Sequence, residues 1–250
     1  MVCIKFFVVS DIHSFYEPFI KALNKAGFDP NNEEHWLISC GDCFDRGPDS
    51  DKLLKFLMSL KRKILIKGNH DILLEDCCMR KFPYSYDNSN GTTKTIKDLG
   101  GYEKGTPFDE CCQITWNRLA RYRELLVNYF ETEQFIFCHS WIPTISQNDG
   151  FYKYDKNWRT AADKCWELAM WGNPFELADL KLNQTDKTIV FGHWHCSYGY
   201  TITNNKSISE FGTDACWDIY KNTDWNIISI DKCTAYTKEV NVLVLEDNFI

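Results

Sequence analysis

The sequence predicts an α/β fold that opens with a β-α-β-α-β unit. Apolar runs at residues 4–9, 36–40 and 63–67 have the length and composition of buried strands. Between them, residues 15–26 and 51–60 carry apolar side chains at helical spacing. Strands that alternate with helices in this way form a parallel sheet with right-handed crossovers.

The rest of the chain continues with strands and helices, interrupted by polar stretches. Residues 83–107 are rich in Asn, Gly, Thr, Ser and Asp, which predicts a long surface loop and, with the helix after it, a cap-like excursion at 83–125. Residues 144–160 predict an aromatic and polar loop. The other predicted elements are helices at 72–82, 114–125 and 161–171 and strands at 135–138, 188–191, 207–211, 225–230 and 238–245, the last three resembling a largely antiparallel set. No repeat or linker divides the chain, so we expect one domain over residues 1–250.

The composition is that of an ordinary globular protein. Of 250 residues, 44% are hydrophobic and 25% are charged, which excludes an intrinsically disordered chain. The formal net charge of -7 argues against broad, sequence-independent binding to nucleic acid, which needs a basic face. A small phosphorylated substrate stays possible, because the local charge of a site can oppose the total.

Nothing in the sequence indicates export or a membrane. Residues 1–9 are apolar but short and lack a basic lead, so they are interpreted as a first strand and not as a signal peptide. No apolar run approaches the length of a membrane span. The 12 cysteines are scattered, which favours reduced thiols and a cytoplasmic protein. Cys40 and Cys43 have a metal-binding spacing, but no second pair matches it.

Five of the six histidines lie in short polar segments that directly follow predicted strands. Taken singly, an aspartate after a strand is usually a turn former or helix cap, and a histidine usually a packed or surface residue. Taken together, at the strand ends where open α/β sheets place their sites, these residues predict a functional site. The segments are Ser10-Asp11-Ile12-His13, Gly41-Asp42-Cys43-Phe44-Asp45-Arg46-Gly47, Gly68-Asn69-His70-Asp71, Cys138-His139-Ser140, Gly192-His193-Trp194-His195 and, more weakly, Gly212-Thr213-Asp214.

These side chains have the chemistry of a site for two metal ions. Carboxylates, imidazoles and an Asn amide suit divalent ions such as Mn, Fe or Zn. One shared carboxylate can hold two ions roughly 3.5–4 Å apart, with a bridging hydroxide as the nucleophile. Asp42 is the natural bridge because it lies centrally in the series. Arg46 offers bidentate donors to phosphate oxygens, and His70, oriented by Asp45, is suited to protonate the leaving oxygen.

The segments Gly-Asp-x-x-Asp-Arg-Gly and Gly-Asn-His, after Asp-x-His, resemble the signature of the phosphoprotein phosphatase family within the calcineurin-like metallophosphoesterases. The layout, over residues 4–246, is similar to that of the compact bacterial and bacteriophage members, including the diadenosine tetraphosphatases. The resemblance implies a four-layer α/β/β/α sandwich with two metal ions, Mn above Fe or Zn, between the ends of two mixed sheets. The roles it implies are Asp11, His13 and Asp42 on the first metal, Asp42, Asn69, His139 and His193 on the second, Arg46 and Asn69 for substrate, and His70 with Asp45 for proton donation.

The sequence departs from the family pattern at four places. Ser14 stands where the family often has Gly, and Asp71 where Glu is common. His195 is an extra histidine that the wider superfamily uses on the first metal, which makes it a further candidate ligand. The segment 169–174 lacks the second phosphate-binding arginine that many members carry there, and Arg159 is a candidate to replace it.

Three functions remain open at this stage. The main expectation is a phosphatase for phosphoserine and phosphothreonine in proteins, or for small phosphate esters. A catalytically silent binding module is the least supported of the three, because only the absent arginine favours it. The second is a hydrolase of diadenosine tetraphosphate or another nucleotide, for which base stacking is expected from an aromatic cap drawn from Trp141, Phe151, Tyr152, Tyr154 and Trp158. The sequence leaves the oligomeric state open.

Overall fold

The computed structural model describes residues 4–146, 152–203 and 215–249, which form two five-stranded sheets, a separate two-stranded sheet and the helices around them. The strands are β1 (Ile4–Val9), β2 (His35–Ser39), β3 (Lys63–Ile66), β4 (Leu126–Val127), β5 (Tyr129–Glu131), β6 (Phe135–Cys138), β7 (Thr144–Ser146), β8 (Tyr152–Tyr154), β9 (Thr188–Phe191), β10 (Tyr220–Asn222), β11 (Ile227–Ser229) and β12 (Leu243–Asp247). The helices are α1 (Tyr16–Ala26), α2 (Ser50–Ser59), α3 (Asn69–Arg80), α4 (Ser85–Asn90), α5 (Thr92–Gly100), α6 (Phe108–Arg118), α7 (Ala120–Leu125), α8 (Asp163–Ala169), α9 (Pro174–Asp179), α10 (Cys196–Thr203) and α11 (Thr234–Thr237), with 3-10 turns at Tyr102–Lys104 and Trp158–Thr160. No helix in these ranges has the length and apolarity needed to cross a membrane.

The first sheet has the strand order β12-β1-β2-β3-β4. Strands β1 to β4 are parallel neighbours, as the opening of the sequence predicts, and β12 runs antiparallel to β1. Parallel pairing places the carboxyl ends of β1, β2 and β3 at one edge of the sheet. That edge carries the first three polar segments.

The second sheet has the order β10-β11-β9-β6-β5. Its three central strands are parallel, and β10 and β5 are antiparallel at its edges. The strands after residue 191 do not form one separate antiparallel set. β11 is antiparallel to β10 but parallel to β9, and β12 pairs antiparallel with β1 of the first sheet. Apolar runs signal burial and not strand direction. The strand predicted at 207–211 lies outside the described residues.

The two sheets pack face to face, and helices cover their outer faces. Apolar side chains of the first sheet, such as Phe6 and Ile38, meet Phe137 and Val190 of the second sheet in one buried cluster. A separate cluster joins the first sheet to α1, α2, α3, α5 and α6. Another joins the second sheet to α8, α9 and α10. The four-layer α/β/β/α arrangement with mixed sheets is confirmed.

The loop expected at 83–107 is instead largely helical. It contains α4, α5 and a 3-10 turn, and α5 packs against both α3 and α6. Thr95, Ile96 and Leu99 lie on one buried face of α5 at helical spacing. Gly91 and Gly101, both with left-handed backbone, bound this helix. The polar composition hid a short amphipathic helix that forms part of the helical layer.

The cysteines of the described residues are free thiols, and nine of these eleven are buried. Cys40 and Cys43 lie at the end of β2 with no exposed surface. Burial raises the pKa of the Cys43 thiol to about 12, and the pKa of Cys40 is raised as well. Thiols held protonated in this way are packing residues and not metal ligands.

Candidate active site

The polar segments meet where the carboxyl ends of the two sheets face each other. Parallel neighbours β1, β2 and β3 present one set of strand ends, and β6 and β9 present the other. The structure thus brings together the side chains that the sequence placed after those strands: Asp11, His13, Asp42, Asp45, Asn69, His70, His139 and His193. The segment at 212–214 lies outside the described residues.

His13, Asp42 and His70 form what we call the first cluster, in which one ligand atom of each lies within 4.8 Å of the others. His13 Nε2 lies 4.0 Å from Asp42 Oδ2 and 3.8 Å from Asp11 Oδ1. His70 Nε2 lies 3.9 Å from the same Asp42 oxygen. These separations are too long for hydrogen bonds, and the arrangement of His13, Asp11 and Asp42 suits groups that surround a common cation.

Asp42, His139 and His193 form the second cluster, so Asp42 belongs to both. Asp42 Oδ1 lies 3.5 Å from His139 Nε2, while Oδ2 faces the first cluster. Asn69 Oδ1 lies 2.8 Å from His139 Nε2. A buried carboxylate that turns one oxygen towards each cluster has the position of a bridge between two ions.

Backbone carbonyls fix the orientation of two imidazoles. His13 Nδ1 lies 2.8 Å from the Phe44 carbonyl, and His139 Nδ1 lies 2.8 Å from that of Cys40. A carbonyl only accepts, so Nδ1 carries the proton and a neutral ring presents the Nε2 lone pair to its cluster. For His139 this lone pair and the Asn69 carbonyl oxygen then point at one another, and a shared cation would satisfy both.

The charge states of the cluster residues also fit a cation. Burial, with Arg46 and His70 nearby, lowers the pKa of His13 well below its usual value, and burial with neighbouring His139 does the same for His193. Both rings are therefore neutral and can offer a nitrogen lone pair. Burial raises the pKa of Asp42 to about 8, although His70 opposes this. A divalent ion would offset that desolvation and restore the carboxylate, so the donor set fits the metal ions that the family implies.

The backbone around the clusters is held in a rarely populated conformation. Left-handed φ values at non-glycine residues cost on the order of 1–3 kcal/mol each and persist only where the surroundings enforce them. Six of the twelve such residues in the described ranges lie in the polar segments, and Ser14 directly follows one of them; the six are Asp11, His13, Asp42, Asp45, Arg46 and His193. The flanking glycines allow close approach, because a Cβ at Gly68 would overlap Asp42 Oδ1. A Cβ at Gly192 would likewise overlap Asp11 Oδ2.

His70 differs from the other imidazoles in its partners. Its Nδ1 lies 2.8 Å from Asp45 Oδ2, in a pair that is buried. Burial opposes a charge on His70, but Asp42 and Asp45 together outweigh it and raise the pKa of this imidazole. A ring that holds its proton is a poor metal ligand and a good proton donor, so the charges favour the donor role expected from the sequence.

Arg46 lies at the exposed rim of the site, beside His70. Its Nη2 lies 3.1 Å from His70 Nε2. Neutral His70 can accept this hydrogen bond, whereas protonated His70 cannot, which frees the guanidinium for an anionic oxygen. Arg46 is thus placed to hold a phosphoryl group next to the expected proton donor.

Two threonines of α5 hold Asp45, and the sequence did not reveal them. Thr92 Oγ1 donates to Asp45 Oδ2 at 2.7 Å, and the Asp45 backbone N–H donates to Thr95 Oγ1 at 2.9 Å. Both threonines are fully buried. Their spacing of three residues on one helix face was the available signal, hidden in a stretch that was expected to be a loop.

Asp71 anchors the start of α3. Its Oδ2 accepts the Gly68 N–H at 2.8 Å, and its Oδ1 accepts from the Tyr122 hydroxyl at 3.0 Å. Its place three residues after Gly68 is that of a carboxylate closing a capping interaction, which fixes the turn that presents Asn69 and His70. The aspartate thus takes up a structural position at the site where the family commonly has glutamate.

His195 lies outside both clusters. Its Nε2 is 3.9 Å from Asp231 Oδ2, and its ring contacts Trp217. Asp231, which the sequence reading missed, is buried two residues beyond β11, so a carboxylate after a strand end was again the signal. Burial and nearby Asp11 raise the pKa of Asp231 to about 7. The ligand role of His195 stays a prediction.

The candidates for extra substrate contacts lie elsewhere than expected. Arg159 makes two hydrogen bonds to Glu131, at 2.8 and 2.6 Å, and stacks on Trp158, so it is held by other partners. Trp141 and Trp158 are buried in the second sheet's core and cannot stack on a ligand. Phe151 lies outside the described residues. Trp171, by contrast, is exposed and lies beside His193.

Comparison with known proteins agrees with this geometry. A family model described as calcineurin-like phosphoesterase matches residues 4–228. A symmetrical bis(5'-nucleosyl)-tetraphosphatase of Buchnera aphidicola is 45% identical over 69 residues, 27% of this chain and 24% of that protein. The counterpart in Aeromonas salmonicida is 43% identical over 67 residues, 26% and 24% of the two chains. The match therefore spans about a quarter of the length of these relatives.

Solved structures share the fold. A serine/threonine phosphatase from Saccharomyces cerevisiae with similarity to human phosphatase PP5 has a TM-score of 0.53 at 14% identity, over 99% of this chain and 80% of that one. A cold-active protein-tyrosine phosphatase of a psychrophilic Shewanella has a TM-score of 0.53 at 16% identity, over 98% and 76%. With the family model spanning most of its length and carboxylates and imidazoles gathered at its strand ends, the chain belongs to the calcineurin-like phosphoesterase family.

Proposed function

We propose that this phosphoesterase hydrolyses dinucleoside polyphosphates such as diadenosine tetraphosphate, with two divalent ions held by Asp42 and by residues around it other than His70. The sharing of Asp42 carries the proposal for the reaction. The substrate class is supported by the tetraphosphatases that match about a quarter of this chain. Dinucleoside polyphosphates therefore replace phosphoproteins as the leading candidate substrates.

The ions, when bound, would activate water and neutralise charge on the phosphoryl oxygens. Asp42 would contribute to holding both ions, with Asp11 and His13 completing one donor set and Asn69, His139 and His193 completing the other. The oxygen and imidazole donors suit Mn above all, with Fe or Zn as alternatives. The buried thiols support a reducing, cytoplasmic setting.

The chain's own residues would position the phosphate and move a proton. Arg46, exposed at the rim, would bind the phosphoryl oxygens in a fork. His70 would donate its proton to the leaving phosphate oxygen, and Asp45 would keep the ring oriented and charged. A polyphosphate supplies further anionic oxygens, and these suit a site whose rim offers one arginine fork.

A second candidate is a phosphoserine or phosphothreonine phosphatase. The Gly-Asp-x-x-Asp-Arg-Gly and Gly-Asn-His segments and the exposed position of Arg46 favour it, because an open rim also admits a protein loop. The yeast phosphatase supports a shared fold for this candidate and nothing finer.

A substrate panel with Mn²⁺ tests the proposal. Initial rates for diadenosine tetraphosphate, a phosphothreonine peptide and p-nitrophenyl phosphate are compared, with and without chelator and with Asp42→Asn as the matched inactive control. We expect the dinucleotide to have the highest kcat/KM and its hydrolysis to stop on chelation. A higher kcat/KM for the phosphopeptide would select the second candidate, and a protein that takes up no metal and cleaves none of the three would be a silent binding module.

A further inference from the structure

We propose that Trp171 is a stacking platform for a nucleobase of the substrate, beside the second cluster. This inference rests on the proposed function, because it names how that site would recognise a nucleoside. It replaces the cap aromatics Trp141 and Trp158, whose rings are buried.

The position of Trp171 is fixed by its neighbours. Its ring centroid lies 6.5 Å from that of His193, with the two planes nearly perpendicular at 86°. The next residue, Gly172, accepts a hydrogen bond at 2.8 Å from Ser140 Oγ, which directly follows His139. The indole therefore lies against His193, and the backbone that follows it is tied to the segment that carries His139.

The exposure of Trp171 sets it apart from the other tryptophans. Its side chain is 50% exposed, and it has the largest exposed fraction of the nine tryptophans, all of which lie in the described ranges. On the same segment, Trp166 and Met170 are buried in the core beneath the second sheet. Packing thus fixes the segment and leaves the indole at the surface, a cost in exposed apolar area that a planar ligand would offset.

The local charge favours a base over a phosphate at this position. Where many family members carry an arginine, this chain has Gly172 and Asn173, and Asn173 Oδ1 accepts the Phe175 N–H at 3.1 Å to cap α9. No cationic side chain follows Trp171 in this segment, so a phosphate gains nothing there. A base, which ribose and phosphates separate from the reacting phosphorus, would lie beside the cluster and not within it.

Inhibition by AMP and by inorganic phosphate isolates the stacking contribution. Both inhibition constants are measured with Mn²⁺ against p-nitrophenyl phosphate hydrolysis for wild-type, Trp171→Ala, Trp171→Phe and Leu168→Ala. The last variant removes an exposed apolar side chain of α8 that belongs to neither cluster. The ratio of the AMP constant to the phosphate constant should rise about tenfold in Trp171→Ala, as loss of one stacked base predicts, and stay within about threefold of wild-type in Trp171→Phe. Leu168→Ala should leave it unchanged.

The outcomes separate this inference from the function beneath it. An unchanged ratio in Trp171→Ala overturns the platform, whatever the substrate. Tyr152 on β8 is an equally exposed aromatic residue. If Tyr152→Ala raises the ratio and Trp171→Ala does not, the platform lies on β8 and the assignment to Trp171 is overturned. Cleavage of diadenosine tetraphosphate by the wild-type protein is measured separately. Its absence would overturn the proposed function, whereas the inhibition ratio tests only the stacking role of Trp171.

Discussion

Asp45 Oδ2 accepts hydrogen bonds from two sides, from His70 Nδ1 at 2.8 Å and from Thr92 Oγ1 at 2.7 Å. This one oxygen joins the loop after β2 to the first turn of α3 and to the first turn of α5. The expected proton donor is therefore oriented by a carboxylate that is itself held by a helix far along the chain. The geometry of the candidate site therefore depends on the helical layer as well as on the sheets.

Replacing Asp45 with Asn should shift the pH dependence of kcat. Asp45 raises the pKa of His70, so the substitution lowers it. The protonated form donates the proton and is lost as pH rises through that pKa, and the alkaline limb of the profile should move to lower pH. We also expect kcat to fall by about 10²–10⁴, the usual contribution of general acid catalysis. The measurement is kcat against pH with saturating Mn²⁺.

The matched control is Asp51→Asn, because Asp51 pairs with Lys55 and Arg118 on the surface of α2. Its profile should overlay that of the wild-type protein. An Asp45→Asn profile with an unmoved alkaline limb would argue that His70 is not the group that titrates there.

Removing the Thr92 hydroxyl with Thr92→Val should weaken the orientation of Asp45. A buried carboxylate loses a charge-assisted hydrogen bond, so the free energy of unfolding should fall by about 1–3 kcal/mol and kcat should fall with it. Urea unfolding and steady-state kinetics measure the two effects. Thr93→Val on the same helix is the control, since the Thr93 hydroxyl donates its hydrogen bond to Asn88 and not to Asp45. Equal losses of kcat in the two variants would assign the effect to α5 packing in general.

The sequence predicted the clusters well because their signal is local. Asp42, Asn69 and His139 each follow an apolar run within three residues, and parallel strands bring such ends to one edge. Thr92 and Asp231 were missed for physical reasons that lie in the tertiary structure. Thr92 acts through a contact 47 residues away, and Asp231 follows a strand whose parallel pairing the apolar pattern does not encode.

The aromatic residues show the same limit. Trp141, Trp158 and Trp171 have identical side chains, and only packing against the second sheet decides that the first two are buried and the third is exposed. No spacing rule separates them, because the segments around all three are irregular or short helices. The absence of a second arginine was visible in the sequence. What binds at that position instead depends on which aromatic ring is exposed there, and only the fold decides this.

Asp42→Asn should abolish binding of two ions per chain. The amide cannot supply a charged oxygen to each cluster, so we expect less than two metal equivalents after dialysis and a loss of activity of at least about 10²-fold. Metal content by atomic emission and titration calorimetry with Mn²⁺ provide the readout. Asp76→Asn, which removes a surface partner of Arg80, is the control and should bind like the wild-type protein. Two full equivalents in Asp42→Asn would show that the clusters do not share this ligand.

Asp71→Asn should flatten the pH dependence of stability. Burial raises the pKa of Asp71 from 3.8 to about 6, so the folded state holds this proton more tightly than the unfolded state. Its contribution is fully present below about pH 4 and is lost as pH rises to about 6, a difference of about 3 kcal/mol for two pKa units. The amide carries no such proton, yet it can still accept from Gly68 and donate to the Tyr122 oxygen.

Urea unfolding of chelator-treated protein at pH 4, 5, 6 and 7 measures this difference. The free energy of unfolding of the wild-type protein should fall relative to that of Asp71→Asn across the series, because other titrating groups are common to both. Tyr122→Phe should change the pH dependence of stability in the direction opposite to Asp71→Asn. Its lost hydroxyl stabilised the carboxylate, so the pKa of Asp71 should rise further and the loss should extend to higher pH. Parallel curves for all three proteins would mean that Asp71 titrates in the folded chain as it does in the unfolded one.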